Sequence, residues 1–318
     1  MKKQGVTGAS IAVIQNGEVT QIKNYGYADR KNNVPISKES RFRIASISKP
    51  LTAWGIMKLV EKEMLELDRP VEDYLTRWKF PESDYDSRDV TVRRLLTHSA
   101  GVSVPSYGGY APDNKRTTII ESLNGENVAY GPVKLNSAPG TATRYSGGGY
   151  TVLQLLIEDI TGKTFEEYME EEIVIPLGLR NYTYTYDPVS DDGRLALPYG
   201  RNGRPLPIYL YTEKAAGGFI CSIEDLASFL LAFGSDQKVL SRESIDAMTD
   251  KNGIPIIGIL ENGSSKCLGF GGTTLGYSAD MWLDISTNSG YVSMYNSTNG
   301  VFLGAEIADQ WLREHAST

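Results

Sequence analysis

Two serines and a lysine stand close together in "FRIASISKPL", residues 42 to 51: Ser46, Ser48 and Lys49. On a helix, positions three apart share a face, so the Lys49 amine can reach the Ser46 hydroxyl one turn below it. A nucleophile and its proton acceptor need that reach. The first helical turn also points free N–H groups and a positive dipole end at Ser46, which favours an alkoxide or a neighbouring oxyanion. The plain alternative is a capping serine beside a solvated lysine. Spacing alone leaves both readings open.

Other chemistries find less support. "TGKT" at 161–164 has the ending of a phosphate-binding loop, but Ile157 stands where that motif needs glycine. Gly162 reads instead as the cap that ends a helix. No HExxH, EF-hand loop or Cys/His cluster signals a metal, and no cofactor is implied. A Ser-His-Asp triad would need His98 or His315, and no serine sits in a G-x-S-x-G elbow. His98, at a helix end in "LLTHSAGV", is read as structural, and His315 lies in the tail. Cys221 and Cys267 lack metal spacing and are read as free, buried thiols.

The 318-residue chain is 41% hydrophobic, enough for a large core. Its 32 basic and 39 acidic residues give a net charge of -7, with no basic run. That excludes nucleic acid or an anionic membrane surface as partner and suits a neutral or cationic small molecule or peptide. No apolar run is long enough for a membrane span. "MKKQGVTGASIAV" enters a strand pattern directly, without a signal-peptide apolar region, as a trimmed chain would.

Residues 8 to 28 alternate apolar and polar around Asn16-Gly17, which predicts a β-hairpin. Periodicity predicts an amphipathic helix over 46–66 and further helices over 89–97, 117–124, 148–160, 165–173, 222–233 and 241–249. Short β-type runs follow: "IPIIGIL", "KCLGF", "GYSADMWLDIS" and "GYVSMYN", with "ENGSS" as a turn, before the helical "FLGAEIADQWLREHA". Strands at both ends and helices between predict one sheet built from the two termini, with a helical lobe inserted. The expected organisation is a single unit over 1–318, with an α/β lobe from about 1–45 and 250–318 and a mainly helical lobe from about 46–249.

Three stretches bear on the serine: "LLTHSAGV" at 95–102; "RYSGGGY" at 144–150, a glycine-rich loop before a helix that can present the Tyr145 phenol; and "LGFGGTTLGY" at 268–277. With "ASISK", "IPLGLRNYTY" and "AAGGFICSIEDLASF" in this order, nearly the whole chain resembles the serine β-lactamase and penicillin-binding-protein-like hydrolases. The likeness is strongest to the class C β-lactamase, esterase and D-aminopeptidase branch. The resemblance implies an α/β (α+β), β-lactamase/transpeptidase-like fold: an antiparallel sheet flanked by helices, with the site between the lobes. It implies Ser46 as nucleophile, Lys49 as its proton-accepting neighbour and Tyr145 as the tyrosine of the second motif. The Ser46 and Thr273 N–H groups would form the oxyanion hole, and a cationic Lys49 would lower the Tyr145 pKa to make it a base.

Two positions depart from the family pattern. Gly147 stands where an asparagine usually holds the substrate's acyl amide, and Phe270 where a lysine or histidine opens the third motif. Gly271 and Gly272 still permit close approach of a substrate backbone. Recognition should then rest on apolar surface rather than a substrate carboxylate, which favours an esterase, amidase or peptidase over a β-lactamase or strict carboxypeptidase. A penicillin-binding sensor without turnover is the rival reading. Tyr277, with the tyrosines of "SVPSYGGYAPDN" and "YTYTYDP", is a candidate to line an aromatic cleft. The resemblance favours an extracytoplasmic location for a trimmed chain, and a cytoplasmic one otherwise.

Overall fold

The N-terminal alternation becomes a hairpin of β1 (Gly8–Gln15) and β2 (Glu18–Asp29). Its turn residues Asn16 and Gly17 have φ of 52° and 83°, the left-handed pair that a tight primed turn requires. The computed structural model describes residues 1–111, 117–126, 130–187, 192–235, 238–262 and 265–315. After β3 (Val34–Pro35) and β4 (Phe42–Arg43) come α1 (Ser48–Glu61), α2 (Val92–Leu96), α3 (Ile119–Leu123), α4 (Gly147–Thr161) and α5 (Phe165–Met169). Then follow β5 (Tyr182–Thr183), α6 (Lys214–Gly217), β6 (Ile220–Cys221), α7 (Ile223–Ser235) and α8 (Arg242–Thr249). The chain closes with β7 (Gly258–Asn262), β8 (Ser265–Thr274), β9 (Tyr277–Asp284), β10 (Ser289–Tyr295) and α9 (Gly300–His315).

The main sheet has the order β3-β2-β1-β10-β9-β8-β7, antiparallel throughout. It is therefore built from both ends of the chain, joined where Ala9 faces Tyr295. A small sheet, β4-β6-β5, lies outside it. The mixed α/β fold with an antiparallel sheet is the one expected. Helix α7 packs against β1, β9 and β10. α9 packs on β9 and β10. Among the described residues no helix is long and apolar enough to cross a membrane.

Helix α1 differs from expectation in kind. It is buried on nearly every side, from Ser48 through Met57, because α4, α5 and α6 surround it. Two of its buried hydroxyls are satisfied internally: Ser48 Oγ accepts from Phe219 N–H at 3.1 Å, and Thr52 Oγ1 donates to the Ser48 and Ala215 carbonyls at 2.9 and 3.1 Å. Trp54, fully buried, meets Phe229 and Phe233 of α7 edge-on at 5.8 and 5.3 Å, tying α1 to the sheet.

Boundaries shift for identifiable reasons. α1 stops at Glu61 because Glu63 turns left-handed, φ 57°. α2 starts late because the Thr91 side chain caps it. The first part of "IPIIGIL" is not strand: Ile254 and Ile256 donate to the Ala247 and Met248 carbonyls and so close α8. Gly162 ends α4 with φ 69°, as its reading as a cap required. Cys221 and Cys267 are free and buried. The "ENGSS" turn falls partly outside the described residues.

Strand β8 crosses directly beside the segment before α1. A Cβ built on Gly272 would lie 2.0 Å from the Ile44 carbonyl oxygen and 3.0 Å from the Ser46 nitrogen, whereas one on Gly271 would lie 3.1 Å from the end of the Asp280 side chain. Gly272→Ala should therefore cost about 2 kcal/mol or more by overpacking, and Gly271→Ala clearly less. Urea unfolding of both variants checks this, and an equal cost would contradict the close crossing.

Candidate active site

Ser46 sits in a 3-10 turn, Ala45–Ile47, just ahead of α1. Ala45 holds φ 48°, a strained value for a residue with a Cβ, and the turn sets the Ser46 side chain off the helix axis. The N-cap position of α1 is Ile47, and no side chain caps either helix start. Ser46 is thus not a capping serine. Its Oγ accepts from Lys49 Nζ at 3.3 Å and from Tyr145 OH at 2.8 Å.

Lys49 is 3% exposed. Its Nζ also donates to the Ala216 carbonyl at 2.6 Å and lies 4.8 Å from the centre of the Tyr145 ring. Among the described residues no acidic side chain pairs with it, and burial alone brings its pKa down to about 7. A buried ammonium without a carboxylate sheds its proton readily.

Tyr145 is fixed from the flanks. Arg144 N–H donates to the His98 carbonyl at 2.8 Å, and Ser146 N–H to His98 Nδ1 at 3.1 Å. Ser146 Oγ caps α4 through Gly149 N–H and donates to the Ser103 carbonyl at 2.7 Å. The His98 ring lies 4.5 Å from that of Tyr145, and burial together with the nearby Lys49 lowers the imidazole pKa to about 4. His98 therefore stays neutral and holds the loop, in line with its structural reading. Although Tyr145 is 44% exposed, its hydroxyl points inward, and burial raises its pKa above the ordinary value, partly opposed by the bond to Ser46. That reverses the expectation of a phenol acidified by lysine: the perturbed base is Lys49.

Ser46 and Lys49 open onto a cleft, and Tyr145 reaches Ser46 from outside its wall. Its wall includes Ser46, Lys49, Gly147 and Thr273, so four of the expected site residues converge. Thr273 belongs to β8, which passes beside the Ser46 amide. Phe270, Gly271, Gly272 and Tyr277 are not on this wall. Phe270 is half-buried and packs on the main core. Gly272 is a packing glycine set against Ile44. Tyr277 is 2% exposed and donates to the Ala196 carbonyl at 2.7 Å, so it is a core residue and not part of the cleft. Tyr184 of "YTYTYDP" is likewise buried, against Phe165 and Phe219. Tyr107, one of the tyrosines expected to line an aromatic cleft, does line it, as do Tyr211, Glu213 and Ala216, which the sequence reading did not name as site residues. The aromatic loop at 103–114, whose end lies outside the described residues, pointed to Tyr107, and an acid preceding "AAGGF" could have pointed to Glu213.

The profile of the Beta-lactamase family matches residues 1–314. The chain belongs to that family. It is 28% identical to esterase EstB of Burkholderia gladioli over 217 residues, 65% of this chain and 54% of that protein. It is 27% identical to the putative penicillin-binding protein PbpX of Bacillus subtilis over 254 residues, 78% of this chain and 60% of the other. The chain thus spans little more than half the length of these relatives. Among solved structures, the octameric penicillin-binding protein homologue of Pyrococcus abyssi superimposes with TM-score 0.78 at 30% identity, covering 94% of this chain and 71% of that one. The D-amino acid amidase of Ochrobactrum anthropi gives 0.76 at 25%, covering 93% and 87%.

The burial of Lys49 has a direct spectroscopic consequence. Carbon NMR of labelled lysine should show one side chain titrating near pH 7, with the signal missing in Lys49→Ala. A Lys49 midpoint at the ordinary lysine value would mean that water reaches the ammonium.

Proposed function

We propose that the protein is a serine hydrolase that transfers acyl groups through an ester on Ser46, with water as the final acceptor. The observation that carries this is the Ser46 hydroxyl, free of any capping role and held by Lys49 Nζ at 3.3 Å and Tyr145 OH at 2.8 Å. Family membership and the esterase and amidase among its relatives support the same reading.

The chemistry follows from the proton affinities. With its pKa near 7, Lys49 is substantially an amine at neutral pH and takes the Ser46 proton as Oγ bonds to the substrate carbonyl carbon. The carbonyl electrons move to oxygen, and the Ser46 and Thr273 N–H groups receive that oxyanion in this reading, each such donor being worth about 3 kcal/mol. Tyr145, kept a phenol by burial, gives its proton to the departing oxygen or nitrogen and regains one from the Lys49 ammonium. Water then reverses the sequence at the ester carbon. Since Gly147 offers no side-chain amide on the cleft wall, the substrate is a small ester, amide or peptide.

Ser46→Ala should abolish turnover of a p-nitrophenyl ester with melting temperature little changed, since its hydroxyl caps no helix. Lys49→Ala and Tyr145→Phe should each lower kcat by several orders of magnitude, and the double variant by much less than the product, because they act on one proton. Full turnover by Ser46→Ala, or simple multiplication of the two losses, would contradict the assignment. A single burst equal to the enzyme, with no steady rate, would mark an acylated binder instead.

A second measurement tests the base. kcat/KM should rise with pH through about 7 as Lys49 loses its proton, and His98, with its pKa near 4, should contribute nothing in that window. A flat profile from mildly acidic to mildly basic pH would remove Lys49 from that role.

A further inference from the structure

Glu213 lines the same cleft as Ser46, yet nothing in the proton transfer uses it. It is 1% exposed. Its Oε1 accepts from Tyr110 OH at 3.3 Å and from Ser122 Oγ, while Oε2 has no hydrogen-bond partner among the described residues. Carboxylates this deeply buried are ordinarily paired with a cation. Here the nearby cations are committed elsewhere. Lys49 binds Ser46 and the Ala216 carbonyl, Lys214 pairs with Glu166, and Arg43 donates to the Tyr209 carbonyl and lies against the Tyr211 ring. Burial accordingly pushes the Glu213 carboxyl above its ordinary range.

The surroundings say which part of a ligand would meet it. Tyr107 and Tyr211 line the cleft with Glu213, and the Tyr107 ring lies 3.3 Å from where a Gly147 Cβ would be. Gly147 occupies the position that, by family resemblance, faces the acyl group. Without a side chain there, the acyl side of the cleft opens toward Tyr107 and the carboxylate beyond. The net charge of -7 draws cations toward the protein in addition.

From this placement, and resting on the acyl-transfer reading above, we infer that Glu213 selects acyl groups carrying a positive charge, an amino-acyl ammonium being the smallest that fits. The carboxylate takes the ammonium as a charge-assisted hydrogen-bond donor, and the two tyrosines wall the passage.

The test uses alanine methyl ester, in both D and L forms, and methyl isobutyrate, in which a methyl replaces the ammonium. Hydrolysis is followed by proton release. The ammonium also activates its ester electronically, so the decisive figure is the ratio of kcat/KM between charged and neutral esters in wild type compared with that in Glu213→Gln. Glutamine keeps the shape and the acceptor for Tyr110 and Ser122 but removes the charge. The ratio should fall by about tenfold or more for at least one enantiomer. An unchanged ratio in a folded Glu213→Gln protein overturns the inference, and so does a wild type that prefers methyl isobutyrate. If Glu213→Gln does not fold, calorimetric titration of Ser46→Ala protein with the same esters decides: tighter binding of the charged ester by about tenfold supports the subsite, and equal affinity removes it. That titration also separates the two readings. Binding selectivity with no turnover by the wild type would defeat the hydrolase while leaving the subsite, and Ser46-dependent turnover without charge selectivity would do the opposite.

Discussion

The desolvation of one amine governs this site. Lys49 stands on a helix that the fold buries on nearly every side, against α4, α5 and α6, with a carbonyl and a hydroxyl for company and no acid. A lowered pKa is the electrostatic result, and it sets the roles of the neighbours. Tyr145 remains a phenol, His98 remains neutral, and the serine hydroxyl faces an amine able to accept its proton. An exposed lysine at the same three-residue spacing would be a permanent ammonium and a poor base.

That burial has structural sponsors far from the reaction. Trp54, more than one helical turn beyond Lys49, wedges α1 against the two phenylalanines of α7, and α7 in turn rests on β1, β9 and β10. The sheet then returns β8 past Ile44 at a distance only glycine permits. Helix and strand, which wall the cleft from two sides, are thus referenced to one another through the core rather than through loops. The fixed backbone at His98 and Ser103 does the same for the Tyr145 loop.

Much of this was legible in the sequence, and what was missed has a common cause. The hairpin at Asn16-Gly17, the α4 cap at Gly162 and the convergence of Ser46, Lys49 and Tyr145 depend on local chemistry or short spacing, which a sequence displays. Motif position did not tell which way a side chain points. Phe270 and Tyr277 lie in the right strands but turn into apolar packing, a matter of strand register and of what covers each face. The cleft walls at Tyr211 and Glu213 come from irregular segments without periodicity, so nothing marked them in advance, whereas the tyrosine-rich loop did mark Tyr107. The all-round burial of α1 was hidden by its polar members, Ser48, Lys49 and Thr52, which look like a solvated face until their internal partners are seen.

The pairing of β1 with β10 bears on how the protein comes into being. Ser46, Lys49 and Tyr145 all precede β8 in the chain, but β1 must wait for β10, and the Ser46 turn must wait for β8. Closing so long a loop is slow and entropically costly, so strands far along the chain complete the central sheet late. Until they do, the cleft lacks its Thr273 wall. A chain cut short before β8 retains the serine without the wall that faces it.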